Sequence, residues 1–300
     1  MSSPAQTVTL SVGNLTIHRL VEQEGPFFDA HTFFPGLTPA MMAENRSWLQ
    51  PRYIDPATGK LMLCIQSYLV RTPHHNIMID TCVGNHKPRP TRDFWHMMTS
   101  DRYEKALAGT GLGVADIDYV MCTHLHVDHT GWNTRLENGR WVPTFPKAKY
   151  VFADRELAFW TERHKQAPEA CPWVNDSVLP IVEARRTEIV KSDHMLNDHV
   201  CLLPTPGHTI DHFSVLVGQG RGKTGHDAVI TGDMIHSPLQ ARYPELGMMS
   251  DYNSKQAGET RRTFFGRFAD TSTLMCTAHF PSPSAGRFVG AGDAFKFVEA

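Results

Sequence analysis

Apolar runs alternate with polar turns along the whole chain, and they predict strands in both halves of the sequence with helices between them. Residues 7–22 form two β-rich runs around Gly13 and Asn14, a turn pair that is typical of a β-hairpin. A second strand pair is predicted over residues 61–70 and 76–80. This pattern favours an α/β protein in which two sheets pack face to face with helices outside.

Two helices are predicted from capping residues followed by apolar residues at helical spacing. Ser100 is the predicted cap of the first helix, which two nearby glycines would end. Asn253 or Ser254 is the predicted cap of the second helix. The apolar faces consist of Tyr103, Ala106 and Leu107 in the first helix and Ala257, Phe264, Phe265 and Phe268 in the second. Such stripes indicate packing into a core.

The run from residue 123 to residue 131 has the composition of a metal-binding segment. It places His124, His126, Asp128 and His129 within six positions. Residues two apart in an extended chain point to the same side, so the first two histidines can bind one ion. Asp128 and His129 fall where the chain turns and can face a second ion. Neutral imidazole and carboxylate are ligands that zinc and its neighbours prefer.

Three later segments can supply the ligands that a single motif cannot. His208 lies on a tight turn after one apolar run, Asp233 ends a second run, and His279 ends a third. Each polar residue therefore directly follows a segment that has the character of a buried strand. In a sandwich of sheets, strand ends of this kind would gather ligands at one edge.

The ordered set H-x-H-x-D-H, followed by His, Asp and His, resembles the metallo-β-lactamase-fold hydrolases from about Val8 to the last strand. The resemblance implies the four-layer αββα sandwich of that family and two divalent metal ions. The implied ligands are His124, His126 and His208 for one ion and Asp128, His129 and His279 for the other, with Asp233 as the bridge. Zinc is the expected metal, and manganese, iron or cobalt are alternatives.

Two further residues are expected to support these ligands. Asp80 matches the aspartate that steadies a ligand histidine in the family, although a turn cap at a strand end would explain it equally well without the resemblance. His212, four residues after His208, is a second candidate for this supporting role. Its alternative role is that of a buried histidine that caps the following strand.

The complete ligand set looks most like the lactonase and organophosphate-hydrolase branch of the family. A glyoxalase II would need a C-terminal helical extension, and only 21 residues follow His279. Acyl-homoserine lactonases place a tyrosine three residues after the bridging aspartate, where it bonds the substrate carbonyl. This chain has His236 there, which can donate a similar bond but weakens the prediction of that particular substrate.

The resemblance implies hydrolysis of a lactone or ester by a hydroxide that bridges the two ions. Paired ions lower the pKa of a shared water from about 15.7 toward 7. The residues expected at the reacting centre are Asp128, Asp233 and His236. Hydrolysis of phosphotriesters is an alternative, and so are an iron-dependent oxidoreductase and a non-catalytic binding module on the same fold. A single-iron enzyme would not need His129 or His279 as ligands.

The segment from residue 24 to residue 53 is rich in aromatic residues and shows little periodicity. Long irregular segments in compact domains are usually functional or disordered, and this one is too aromatic for disorder. We predict that it is an insertion that folds over the metal ions and lines an apolar pocket; a dimer contact or plain packing is the alternative. The predicted pocket residues are Phe27, Phe28, Phe34 and Trp48.

Composition narrows the choice of partners and location. The chain is 41% hydrophobic and 20% charged, which is typical of a globular protein, and its net charge of -2 gives no reason to expect nucleic acid or an anionic membrane. The six cysteines lack C-x-x-C spacing, which favours reduced thiols in a core. We found no signal peptide and no long apolar run. We therefore expect one cytoplasmic domain over residues 1–300, acting on a small molecule, with a homodimer allowed.

Overall fold

The computed structural model describes residues 7–220 and 222–300, so the first six residues, on which the targeting prediction depends, lie outside the described part. The strands are β1 (Thr7–Val12), β2 (Leu15–Asp29), β3 (Lys60–Arg71), β4 (Asn76–Ile79), β5 (Tyr119–Met121), β6 (Thr134–Glu137), β7 (Arg140–Pro143), β8 (Lys149–Ala153), β9 (Thr187–Val190), β10 (Met195–Asn197), β11 (Val200–Pro204), β12 (Phe213–Val217), β13 (Ala228–Ile230), β14 (Leu274–Cys276), β15 (Ala285–Ala291) and β16 (Ala294–Glu299). The helices are α1 (Ala30–Phe33), α2 (Pro39–Leu49), α3 (Arg102–Ala108), α4 (Asp154–Gln166), α5 (Leu179–Glu183), α6 (Leu239–Arg242) and α7 (Ser254–Phe268).

The chain divides into two compact units, each made of two separate stretches of sequence. Unit 1 comprises Met1–Glu22 and Ile65–Ser192, and unit 2 comprises Gln23–Cys64 and Asp193–Ala300. That residues 1–300 form a single domain remains a prediction. Within the described ranges, no helix has both the length and the hydropathy that a bilayer-spanning segment needs.

The first mixed sheet has seven strands in the order β1-β2-β3-β4-β5-β8-β9. The predicted hairpin is confirmed, since Val12 pairs with Leu15 across the turn. The predicted pairing of β3 with β4 is also confirmed, and the two strands are antiparallel. From β4 onward the strands are parallel. Because parallel strands end at the same edge, the metal motif after β5 and helix α4 after β8 begin side by side.

The second mixed sheet lies in unit 2 and has seven strands in the order β10-β11-β12-β13-β14-β15-β16. Strand β12 is antiparallel to both β11 and β13, and β13 is parallel to β14 with Ile230 opposite Cys276. Strands β11, β13 and β14 therefore run in the same direction and end at one edge. Those three ends lead into His208, Asp233 and His279, as the sequence predicted.

The aromatic segment of residues 24–53 is more regular than we expected. It continues β2 as far as Asp29 and then forms α1 and α2, whose first turns are capped by the side chains of Asp29 and Thr38. Its buried residues join the core of unit 2 together with three phenylalanines of α7, so the core role predicted for α7 is confirmed. The members contributed by these two segments are Ala30, Phe33, Phe34, Leu37, Leu49, Tyr53, Phe264, Phe265 and Phe268.

Helix boundaries follow the predicted capping residues closely. Helix α7 begins after Asn253, whose side chain accepts a hydrogen bond from the backbone of Gln256. Helix α3 begins one residue later than Ser100 predicts: Asp101 is the capping position, and the Ser100 hydroxyl accepts from the Arg102 backbone. All six cysteines have free thiols, and five of them are buried.

Candidate metal centre

The metal motif of unit 1 is held at both ends by Asp80. Its Oδ1 accepts a hydrogen bond from the backbone N–H of Thr123 (2.8 Å), and its Oδ2 lies 2.9 Å from Nδ1 of His129. Asp80 itself has a left-handed backbone conformation (φ 56°), which a non-glycine residue adopts only where its surroundings hold it. With Nδ1 directed at a carboxylate, His129 has its Nε2 oriented for an ion.

A glycine closes the motif because no side chain fits there. A Cβ at Gly131 would lie 1.8 Å from the carbonyl oxygen of Val83. The same reason applies to Gly207 in unit 2, which has φ 129° and whose Cβ would lie 2.3 Å from the backbone nitrogen of Ala257. Both glycines let the chain turn tightly next to a ligand-type histidine.

Within the motif, the four predicted ligands lie close together. Nε2 of His124 is 3.0 Å from Nδ1 of His126, and the rings of His124 and His129 have centroids 4.1 Å apart. Oδ1 of Asp128 is 3.9 Å from Nε2 of His129. His126 and Asp128 are partly exposed, whereas the other two are buried, so the set is open to solvent on one side.

In unit 2, the carboxylate of Asp233 is the centre of a second donor set. Its Oδ1 lies 2.9 Å from Nε2 of His279, and its Oδ2 lies 3.3 Å from Nε2 of His208 and 3.0 Å from Nε2 of His236. Asp233, His236 and His279 each offer one potential ligand atom, and these three atoms lie within 4.8 Å of one another. His208 and His279 approach different oxygens, which is the arrangement expected of a carboxylate that bridges two ions.

The far sides of the His208 and His279 imidazoles are each bonded to another group of unit 2. Nδ1 of His208 lies 3.0 Å from Oδ1 of Asp251, and Nδ1 of His279 lies 2.9 Å from the Cys64 carbonyl oxygen. Such bonds orient Nε2 toward an ion and raise the basicity of the ligand. His212 supports Asp233 instead, since its Nε2 accepts a hydrogen bond of 2.9 Å from the Asp233 backbone N–H.

His236, which the sequence placed at the reacting centre, differs from the other histidines. Its Nδ1 is buried and bonds to no group in the described part of the chain. The ring packs edge-on against Phe33 (centroids 5.5 Å apart) and stacks with His279 (5.4 Å). Burial lowers the pKa of His236 to about 4, against the pull of Asp233, so its imidazole is neutral near pH 7.

The carboxylates around His208 create a negative environment that favours the binding of a cation. Burial alone lowers the pKa of this histidine, but its hydrogen bonds to Asp233 and Asp251 outweigh burial and raise that pKa to about 9. Two carboxylates around one imidazole make the surroundings strongly negative. Together with the imidazole nitrogens, this donor chemistry fits a divalent ion of the zinc type.

Two contacts of this centre have no counterpart in the sequence analysis. Asp251 lies in the loop between α6 and α7 and follows no strand, and it is 43 residues away from His208, so no local pattern indicates the pair. The ring of Phe33 contacts that of His236. Phe34, which we predicted to line the pocket, is instead fully buried in the core. The ring of Phe28 packs against Phe33 with centroids 5.3 Å apart.

The other two predicted pocket residues lie at different depths. Phe27 is partly buried and packs against the core of unit 2. Trp48 is 41% exposed on α2, and its ring meets that of Tyr53 edge-on with centroids 6.4 Å apart. The lining of a pocket by these residues stays a prediction.

Comparison with known proteins identifies the family. The model of the Metallo-beta-lactamase superfamily matches residues 65–279. A curated N-acyl homoserine lactonase of Bacillus cereus is 26% identical over 167 residues, which are 52% of this chain and 59% of that relative. The aligned part thus spans about half of the length of the curated relatives it matches.

Solved structures show the same fold over the whole chain. AidC, a dizinc quorum-quenching lactonase in complex with a product, has a TM-score of 0.77 at 20% identity and is covered to 97%, with 98% of this chain. The hydrolase AbOPH of the beta lactamase superfamily has a TM-score of 0.80 at 22% identity, with 100% of this chain and 99% of that chain covered. The predicted α/β fold with two mixed sheets is therefore confirmed.

Proposed function

The chain belongs to the metallo-beta-lactamase superfamily, and from that membership we propose that it is a hydrolase that opens lactones at a pair of divalent metal ions. The family and its lactonase relatives indicate a metal-dependent hydrolase that acts on a small molecule. The observation that carries the proposal is Asp233, whose two oxygens face histidines of two different proposed ligand sets.

The proposed ligand assignment follows the family order. One ion would be held by His124, His126 and His208, the other by Asp128, His129 and His279, and Asp233 would bridge them. Imidazole and carboxylate donors support divalent ions, and zinc is the ion that we propose. When bound, such a pair makes hydroxide available near neutral pH and polarises the substrate carbonyl.

His236 is proposed to bind the carbonyl oxygen of the substrate. Its Nε2 lies 3.0 Å from Oδ2 of Asp233, so a neutral imidazole can donate its N–H to a substrate oxygen bound beside that carboxylate. Contact with Phe33 holds the ring in place. A donor held in place beside the developing oxyanion stabilises its charge.

The aromatic residues next to His236 support a substrate with an apolar group. Phe33 contacts His236, and Phe28, which is partly buried, contacts Phe33, so aromatic rings continue from Phe28 to the histidine of the proposed carbonyl site. Burial of one aromatic ring is worth about 2 kcal/mol at roughly 25 cal/mol per Å². We therefore propose lactones with an apolar acyl or aryl substituent as substrates.

A substrate panel on zinc-loaded protein tests the proposal. We expect lactones with apolar substituents to turn over faster than aryl esters, phosphotriesters and β-lactams. Faster turnover of phosphotriesters than of lactones would contradict the proposed lactone opening and would indicate a phosphotriester hydrolase. A protein that binds a single iron ion and opens no lactone would point to oxygen chemistry, and one that binds no metal would point to a binding module.

Variants of His236 test its role directly. We expect His236→Ala to lower kcat by about a hundredfold or more and to change KM less, because the hydrogen bond strengthens as the oxyanion forms. His236→Tyr should preserve or improve lactone hydrolysis, because the phenol can donate the same bond. An unchanged kcat in His236→Ala would make this histidine a packing residue.

A further inference from the structure

Leu125 separates the two histidines that open the metal motif, and both polar groups of its backbone bond to side chains of unit 1. Its N–H donates to Oε1 of Glu156 (3.2 Å), and its carbonyl oxygen accepts from Nε1 of Trp173 (2.7 Å). The residue lies beyond the end of β5, and in the described part of the chain these two groups bond to side chains and not to a neighbouring strand. Side chains therefore take the place of a sheet ladder at this position.

The carboxylate of Glu156 is itself fixed by helix α4. Glu156 lies in the first turn of that helix and is 1% exposed. Its Oε1 also accepts a hydrogen bond of 2.7 Å from Nε1 of Trp160, one helical turn further on. A carboxylate near a helix N-terminus is favoured by the helix dipole. One oxygen thus connects α4 to the peptide of Leu125.

The two indoles that take part in these bonds also pack against each other and against the motif. The rings of Trp160 and Trp173 have centroids 5.2 Å apart. Trp160 meets the ring of His126 edge-on, with centroids 5.3 Å apart and an interplanar angle of 72°. The orientation of the His126 ring is therefore restricted on the side where α4 lies.

We propose that Glu156, Trp160 and Trp173 are positioning residues that fix the spacing and orientation of His124 and His126 for metal binding. Asp80 holds the motif at Thr123 and His129, and these three side chains hold its middle. Two ligands separated by one residue can turn relative to each other about the backbone of that residue, so bonding both of its polar groups removes this freedom. The inference rests on the metal-binding part of the proposed function.

Zinc affinity, measured by competition with a chelator, tests the proposal, with the visible spectrum of the cobalt(II)-loaded protein as a second readout. Trp173→Phe removes the indole N–H and keeps a ring, and Glu156→Leu removes the acceptor. We expect each to weaken zinc binding about 10- to 100-fold and to change the cobalt spectrum. Glu156→Gln keeps an acceptor oxygen and should bind zinc within about threefold of the wild type.

Two matched variants show that the effect belongs to these positions. Trp141→Phe changes an indole that packs on Lys87, and Glu162→Leu changes an exposed residue of the same helix α4. Both should bind zinc as the wild type does. Urea unfolding of each variant without added metal shows whether it folds; if Glu156→Leu does not, Trp173→Phe decides.

The possible results separate this inference from the function on which it rests. Wild-type zinc affinity and an unchanged cobalt spectrum in Trp173→Phe would overturn the inference alone. A loss of affinity that Trp141→Phe shares would overturn it as well, because the effect would then be general. A wild-type protein that binds no zinc would overturn the proposed function itself.

Discussion

The two units supply their ligand-type side chains in opposite ways. In unit 1, one run of six residues from His124 to His129 after the single strand β5 carries all four. In unit 2, His208, Asp233 and His279 follow three strands that end at one edge of a sheet. The first set depends on the local path of the chain, whereas the second depends on sheet topology. Ligands far apart in sequence therefore need no local motif when their strands end together.

The supporting contacts differ in the same way. Asp80 contacts both ends of the unit 1 motif, so a single carboxylate orients one histidine and fixes the turn. In unit 2 each histidine has its own support, Asp251 for His208 and the Cys64 carbonyl for His279. Loss of one supporting group should therefore disturb more of the proposed ligands in unit 1 than in unit 2.

The largest effect should follow from Asp233→Ala. This change removes the only group in the described part of unit 2 that contacts His208, His236 and His279 together. We expect both ions and all lactone hydrolysis to be lost, measured by metal analysis and by turnover. Cys122→Ser, which changes a buried thiol beside the motif, should keep two ions. Full activity with two ions in Asp233→Ala would contradict the proposed bridge.

The next effect separates two phenylalanines of the same segment. Phe34 is fully buried, so Phe34→Ala should lower the free energy of unfolding by about 3–5 kcal/mol in urea titrations. Phe28 is only partly buried and packs against the edge of this core. Phe28→Ala should therefore lower kcat/KM for apolar lactones about tenfold more than for small polar ones. Equal losses on both substrate types would remove the pocket role.

Removal of single supports should have a smaller effect and should distinguish the units. Asp80→Asn and Asp251→Asn are each expected to weaken zinc binding, within the range of about 10- to 100-fold that supporting residues typically show. We expect the greater loss for Asp80, because it contacts Thr123 as well as His129. A greater loss of zinc affinity in Asp251→Asn than in Asp80→Asn would contradict the expectation that unit 1 depends more on a single supporting residue.

The last predicted effect lies apart from the metal ligands and concerns the pH dependence of stability set by a buried cation of unit 1. Burial, together with the charge of nearby Arg89, lowers the pKa of Lys87 from its ordinary 10.5 to about 7, and the ion pair of Lys87 with Asp176 (3.4 Å) only partly offsets this lowering. From pH 7 to 10.5 the unfolded chain therefore binds more protons, so the free energy of unfolding rises with pH by up to about 1.36 kcal/mol per unit.

Urea titrations at several pH values check this sign. Lys87→Met should remove the rise between pH 7 and 9, whereas Lys255→Met, at an exposed position of α7, should retain it. Arg261, the buried cation of unit 2, donates to backbone carbonyls such as that of Pro244 and stays charged over this range. Parallel curves for wild type and Lys87→Met would show that Lys87 keeps its proton.

Much of the fold and of the ligand set could be predicted because the signals were local. The hairpin around Gly13, the cap at Asn253 and the ligand-type residues after apolar runs all lie within a few residues of the elements they mark. The helices of residues 24–53 also had such signals, since Asp29 caps α1 and Thr38 precedes a proline at the start of α2. We missed them because the aromatic residues obscured the helical period.

The remaining contacts could not be predicted because they join distant residues of unremarkable type. Asp251 is one acidic residue in a loop, and Trp173 bonds a backbone carbonyl 48 residues away. Neither is marked by spacing or composition. The cytoplasmic location, the homodimer and the lack of nucleic-acid or membrane partners stay predictions, as does the identity of the metal.

The directions of the strands in unit 2 have a practical consequence for work with this protein. Because β12 is antiparallel to β11 and β13, the connection from Val217 to Ala228 leaves the sheet at the edge opposite His208, Asp233 and His279. Extra residues placed in that connection lengthen the chain on the side away from these three proposed ligands, at a small entropic cost. We therefore expect a fluorescent label or an affinity tag inserted there to leave the proposed metal ligands in place.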